Sequence, residues 1–162
     1  MRVETSRHTV VHCGWPYVPG DVVNAQMSLR YGVAAMLEAG NASVEQYSVD
    51  RIDDPALVEL ASRVDVVADE SIDALGSAHR HITRVAIVRR DGSELSGEAK
   101  HRIGSPFEPV GRPEIEEKFV QLMAALPGID GPAIHDVVVA LDELGTTATL
   151  SDLLRVQIGD GA

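Results

Sequence analysis

Apolar and polar positions along this 162-residue chain change period several times, and each change predicts a new element. Residues 2–12 are rich in β-branched side chains and alternate imperfectly. Val3, Thr5, Arg7, Thr9 and Val11 share one face, and Glu4, Ser6, His8, Val10 and His12 share the other. That spacing predicts a strand. Gly14, Pro16, Pro19 and Gly20 break it into a loop carrying Trp15 and Tyr17. Over 22–39 the period becomes helical, with Leu29, Val33, Met36 and Leu37 on one stripe, Ala25 a turn earlier and Gly40 placed to end the helix. A short helix is predicted over 54–62, since Asp54 suits the N-cap and Pro55 the first helical position. Val64, Val66 and Ala68 then alternate with Asp65 and Val67 as in a strand.

Residues 81–89 and 94–101 flank Asp91-Gly92, a two-residue hairpin signal, and read as paired antiparallel strands. The stretch 103–112, with two glycines and two prolines, reads as a loop. Beyond it the pattern is helical only. Pro113 opens a helix whose apolar positions are Ile115, Phe119, Leu122, Met123 and Leu126, ended by Pro127-Gly128. Pro132 opens another with Ile134, Val137, Val138, Leu141 and Leu144 inward; a short helix follows Thr149, and residues 159–162 should fray. Helices grouped after strands give an α+β class: a small mixed or antiparallel sheet with helices on one face, then a helical tail. The division falls at 1–110 for the α+β unit and 111–162 for the tail. Two amphipathic tail helices need a surface to pack on, and a helical partner would supply one.

Composition narrows the function. Lys and Arg number 14 against 25 Asp and Glu, a formal charge of −11 that argues against nucleic acid and anionic membranes as partners. One cysteine, Cys13, excludes an internal disulfide and reads as a buried inert thiol. No apolar run approaches the ~18 residues of a membrane span, and the first residues lack the apolar core of a signal peptide, so a cytoplasmic location is expected.

Candidate chemistry is sparse. His79 and His81 stand two apart in a predicted strand and can point the same way, but no third ligand is evident, and a solvated strand start is the plainer reading. His8 and His12, read as extended chain, lie too far apart for one ion. No metal and no cofactor is expected. The sequence lacks GxGxxG, P-loop, GxSxG and HExxH patterns.

Three stretches in order carry a resemblance. Asn24-Ala25-Gln26-Met27-Ser28-Leu29-Arg30-Tyr31-Gly32-Val33-Ala34 resembles the "A-x-x-S-[aliphatic]-x-Y-x-V-A" helix of MmgE/PrpD (2-methylcitrate dehydratase-like) enzymes. Asp91-Gly92 and the loop Gly104-Ser105-Pro106-Phe107-Glu108-Pro109 are similar to that family's hairpin and Gly-x-Pro-x-x-Pro segment. Pro113-Glu114-Ile115-Glu116-Glu117-Lys118-Phe119 resembles its "[DE]-[LI]-x-x-K-F" helix start. The resemblance spans about residues 3–155 and concerns the C-terminal, lid-type part of the family; the N-terminal helical domain, with a catalytic His and Lys, is not matched.

The resemblance implies part of a carbon-oxygen lyase, a subunit or fragment, acting on a small polycarboxylate such as 2-methylcitrate, its site completed by a separate helical domain or subunit. Decarboxylase-type and epimerase-type chemistries remain open, as does a non-catalytic binding or regulatory module, and a homodimer is another way to cover the tail. Tyr31 is the implied catalytic residue. A phenol can donate to a substrate carboxylate or protonate a leaving hydroxyl, although a helical tyrosine more commonly packs in a core with its hydroxyl bonded. Arg30 can clamp a carboxylate with its guanidinium fork, but neighbouring helical residues point about 100° apart. Ser28 and Gln26 on the same helix, and the backbone amides of Gly104 and Ser105, are weaker substrate-binding candidates.

Overall fold

A computed structural model describes residues 1–126 and 128–155; Pro127 and the expected fraying of 159–162 lie outside them. The chain divides into two compact units, Met1–Pro109 and a second from Val110 on.

The first unit is built on a four-stranded mixed sheet in the order β2-β1-β3-β4. Strand β1 (Arg2–Thr5) runs parallel to β2 (Asp65–Ala68) and antiparallel to β3 (Thr83–Val88), which pairs antiparallel with β4 (Glu94–Ala99). Val3 stands opposite Val66 on one side and Val85 on the other, so the three side chains share a face. Val10, Leu29 and Val33, from helices on that side, pack against Val3, Val64 and Val66. The other face, with Arg2, Glu4, Arg84, Ser96 and Glu98, forms an open groove. Arg84 lies across it, bonded to Glu98 at 2.7 Å and to Asp69 at 2.5 Å.

The strand expected over residues 2–12 ends early. Ser6 caps a helix, α1 (Arg7–Cys13), by accepting from the Thr9 amide at 3.2 Å. Its hydroxyl also donates to the Arg80 carbonyl at 2.8 Å. A serine that satisfies a helix terminus and a distant carbonyl together outweighs a weak strand alternation. The helix expected over 22–39 is broken into α2 (Val22–Met27) and α3 (Leu29–Ala39). Ser28, in extended conformation, caps α3 by accepting from the Tyr31 amide. Gly40 ends α3 with a φ of 74°, as its position suggested. After a 3-10 turn (Val44–Tyr47) and the single turn α4 (Val49–Ile52), α5 (Pro55–Ser62) starts on Asp54, whose carboxylate accepts from the Ala56 amide. A second core forms here from Ala25, Tyr31, Ala34, Ala35, Ile52, Leu57 and Ala61. Small residues on α3 and α5 let the helix backbones approach, and each large side chain fully buried there contributes roughly 1.5–3 kcal/mol.

The turn α6 (Glu70–Asp73) and a 3-10 turn (Ser77–His79) lead into β3. His79 and His81 are therefore in turns and not in a strand, which starts only at Thr83. The β3–β4 connection takes five residues, not two. The Arg89 amide bonds the Ser93 carbonyl, and the Asp91 carboxylate accepts from the Ser93 amide and hydroxyl.

The second unit holds α7 (Arg112–Ala124), α8 (Gly131–Val139), a 3-10 turn (Leu141–Glu143) and α9 (Ala148–Leu153). Helix α8 stops before Leu141, so Leu141 and Leu144 do not extend its stripe. The apolar face expected to be buried on α7 is not: none of its residues is buried, and Ile115 is 57% exposed. In this unit α7 and α8 meet where Gly131 faces Met123 and where the rings of Phe119 and His135 lie 5.9 Å apart.

Gly14 ends α1 against the sheet. A Cβ there would lie 2.8 Å from the Val10 carbonyl oxygen and 3.2 Å from a Val66 methyl. Gly14→Ala should therefore destabilise the first unit by about 1–3 kcal/mol, read as a lowered denaturant midpoint. An unchanged midpoint would mean that α1 can shift off β2 without cost.

Candidate functional site

The residues singled out in the sequence do not meet at one place. Tyr31 has no exposed surface. Its ring lies between those of Tyr17 and Tyr47, with centroids 4.8 and 5.5 Å away, and its hydroxyl donates to the Gln46 carbonyl at 2.5 Å. Ser28, 3% exposed, spends its hydroxyl on the α3 cap. Arg30 leaves α3 on the opposite side. It donates from Nε to the Gly14 carbonyl at 3.2 Å and from Nη1 to the Val64 carbonyl, with Asp65 3.9 Å from Nη2. The guanidinium thus joins the end of α1 to the start of β2. Gln26 is exposed on α2. The amides of Gly104 and Ser105 bond the carbonyls of Glu108 and Arg102 within their own loop, at 2.7 and 3.0 Å. The Ser105 hydroxyl is enclosed without a hydrogen-bond partner among the described residues.

All three tyrosines of the chain are in this one cluster, and burial raises the pKa of each. Tyr17, whose hydroxyl donates to the Ile52 carbonyl at 2.8 Å, is pushed up to about 12. Desolvation is the main cause, with Tyr31, Asp53 and Asp21 adding to it. For Tyr31 the nearby Arg51 opposes the effect of burial. The cluster fastens α3 to the turns at 44–52, with the Tyr17 and Tyr31 hydroxyls bonded to the carbonyls of Ile52 and Gln46.

A different group of side chains converges outside the two cores. His8 and His12, predicted to be too far apart on a strand, lie one turn apart on α1 with ring centroids 4.5 Å apart. Ser6, His8, Asp73, Ser77 and Arg80 line a small cleft of roughly 170 Å³. The Arg80 carbonyl is held by the Ser6 hydroxyl at 2.8 Å and the Thr9 hydroxyl at 3.2 Å, and Arg80 Nε lies 3.3 Å from His81 Nε2. The pKa of His81 is lowered, by burial first and then by Arg102, Arg80 and His8. The start of α1 and the turns at 72–80 thus bring these side chains to one cleft. Sequence reasoning missed it because the helix at Arg7–Cys13 was read as a strand. The available signal was the density of His and Arg in Arg7-His8…His12 and His79-Arg80-His81 in a chain of strongly negative charge. No group of three or more His, Cys, Asp or Glu placed to hold a metal ion occurs among the described residues. No helix among them is long and apolar enough to cross a membrane.

A mixed sheet covered by helices on one face, followed by a helical unit, defines an α+β protein. The sequence model of the MmgE/PrpD C-terminal domain matches residues 1–142, most of the chain. The chain belongs to the MmgE/PrpD family and carries its C-terminal domain. That membership implies an N-terminal domain as partner. No curated protein matches the chain.

Two outcomes are expected from these contacts. Arg30→Ala leaves the carbonyls of Gly14 and Val64 without their side-chain donor and should lower stability by about 1–3 kcal/mol in chemical denaturation. The tyrosine cluster predicts an alkaline limit. A phenol whose folded pKa lies above its unfolded value, near 10, stabilises the fold fully below that value, and the contribution is lost as pH rises toward about 12. Phenolate absorbance should accordingly appear together with loss of helical circular dichroism. Titration near pH 10 in a chain that stays folded would contradict this.

Proposed function

We propose that this chain is one part of an MmgE/PrpD-type lyase that dehydrates a small polycarboxylate such as 2-methylcitrate, with its active site completed by a separate helical domain. Family membership supports the class of enzyme. The observation that carries the incompleteness is α7: thirteen residues, none buried, with Ile115 57% and Val120 66% exposed. A helix with that much uncovered apolar surface gains stability only when something packs on it. A helical domain of the kind its family implies is the surface that fits.

Tyr31 enters this reading in the role given by the resemblance, as donor to a substrate carboxylate or as acid toward the leaving hydroxyl. For direct contact its hydroxyl has to leave the Gln46 carbonyl, which requires the Val44–Tyr47 turn to move. Acting from its present place, it instead fixes α3 against that turn.

The test begins with native mass spectrometry of the complex the chain forms, followed by assay of water loss from 2-methylcitrate. Turnover is expected only with the helical partner bound, and an inert assembled complex would overturn the reading. In that complex, a direct role predicts that Tyr31→Phe lowers kcat by a factor of about 100 or more with the melting temperature little changed. Lost stability with intact kcat would make Tyr31 a packing residue.

A further inference from the structure

Strand β4 lies at the open edge of the sheet, and all six of its residues are exposed. The edge is regular: the register with β3 runs unbroken from Glu94 to Ala99, with no bulge and no proline in the strand. The bond from the Arg89 amide to the Ser93 carbonyl belongs to that same register. Hydrogen-bonded pairs alternate along an antiparallel ladder, so the backbone groups of Ser93, Leu95, Gly97 and Ala99 face β3. Those of Glu94, Ser96 and Glu98, and of Lys100 just past the strand, face away and have no backbone partner among the described residues. A straight edge of this kind is a template for another strand.

We propose that β4 pairs with β4 of a second copy of this chain about a two-fold axis at Gly97, joining two sheets into one. The outward groups limit the register. Two antiparallel β4 strands exchange outward bonds only when even-numbered residues oppose even-numbered ones. With the axis at Gly97, Glu94 stands opposite Lys100 of the second copy, Ser96 opposite Glu98, and Leu95 opposite Ala99. The two Glu94–Lys100 pairs attract. Leu95, 47% exposed, gains apolar cover from Ala99 at a non-bonded pair, where side chains lie closer. Moving the register by two residues puts Glu94 opposite Glu98 in one direction and Glu98 opposite itself in the other, and like charges directly opposite are unfavourable. The charges on this edge thus select one self-pairing. Existing contacts allow it. Glu98 keeps its bond to Arg84 at 2.7 Å, and Lys100, whose only carboxylate neighbour among the described residues is Glu98 at 3.7 Å, has an exposed side chain that can reach across. A Cβ at Gly97 would meet nothing within 4 Å, so the axis is unobstructed.

This pairing goes beyond the lyase reading and does not rest on it. The test is sedimentation equilibrium of the full chain at about 0.15 M salt, where the −11 charge of each copy is screened beyond about 8 Å. A reversible dimer is expected, because an edge pairing makes a small interface. Lys100→Glu puts like charges at both cross-strand pairs and should weaken the dimer about tenfold; adding Glu94→Lys exchanges the two charges and should restore it. Ser96→Pro removes an outward amide but no bond to β3, and should abolish the dimer with circular dichroism unchanged. The register is read by oxidation in a Cys13→Ser background. Gly97→Cys should cross-link to itself, since the paired Cα atoms would lie about 4.5 Å apart, whereas Leu95→Cys, opposite Ala99, should not. A monomer at every concentration up to about 1 mM overturns the proposal. So does a dimer whose affinity survives Lys100→Glu, which would put self-association on another surface such as α7. Cross-linking through Leu95→Cys in place of Gly97→Cys overturns the register.

Discussion

Helix α3 has to serve two cores at once, and the architecture of the first unit follows from that constraint. One side places Tyr31, Ala34 and Ala35 among the helices, and the other places Leu29 and Val33 under the sheet. Surface helices bury a single stripe; a helix wetted on neither of two sides has little freedom to rotate or slide. Ser28 fixes where it begins and Gly40 where it ends. Arg30 then ties it laterally to α1 and β2 through two backbone carbonyls. These carbonyls lie near the edge of hydrogen-bonded structure, where a long, rigid guanidinium can reach both and a lysine cannot.

The same constraint explains why Tyr31 and Arg30, adjacent in sequence, have unrelated surroundings. About 100° of helical rotation separates them, which sends one into an aromatic cluster and the other across the sheet edge. Each satisfies a backbone carbonyl, and each is thereby part of what keeps α3 in place. In this arrangement His8, Asp73 and Arg80 line one cleft, where the Ser6 hydroxyl anchors the Arg80 backbone.

The two units differ in how much they hold for themselves. The first closes two cores around α3 and a sheet; its open groove carries charges already paired, as at Arg84 with Glu98. The second buries Ile134 and brings α7 to α8 at Gly131 and His135, yet Ile115 and Val120 of α7 stay exposed. Most helical stability comes from tertiary packing of an apolar face, which Ile115 and Val120 lack.

Local chemistry determined much of this fold. Asp54-Pro55 marked the start of α5, Gly40 the end of α3, and the separation of strands from later helices gave the α+β class. The family was legible because its motifs keep their order along the chain. Tertiary structure decided what short-range pattern left ambiguous. Residues 2–12 alternate weakly enough to serve as strand or helix, and the Arg80 carbonyl, far away in sequence, selects Ser6 as a cap. That choice moves His8 and His12 from separate positions on a strand to one turn of a helix, and it creates the cleft. Sequence periodicity records which side chains are apolar; which carbonyls and cations become neighbours depends on contacts made across the chain, and those exist only after the strands and α3 have packed.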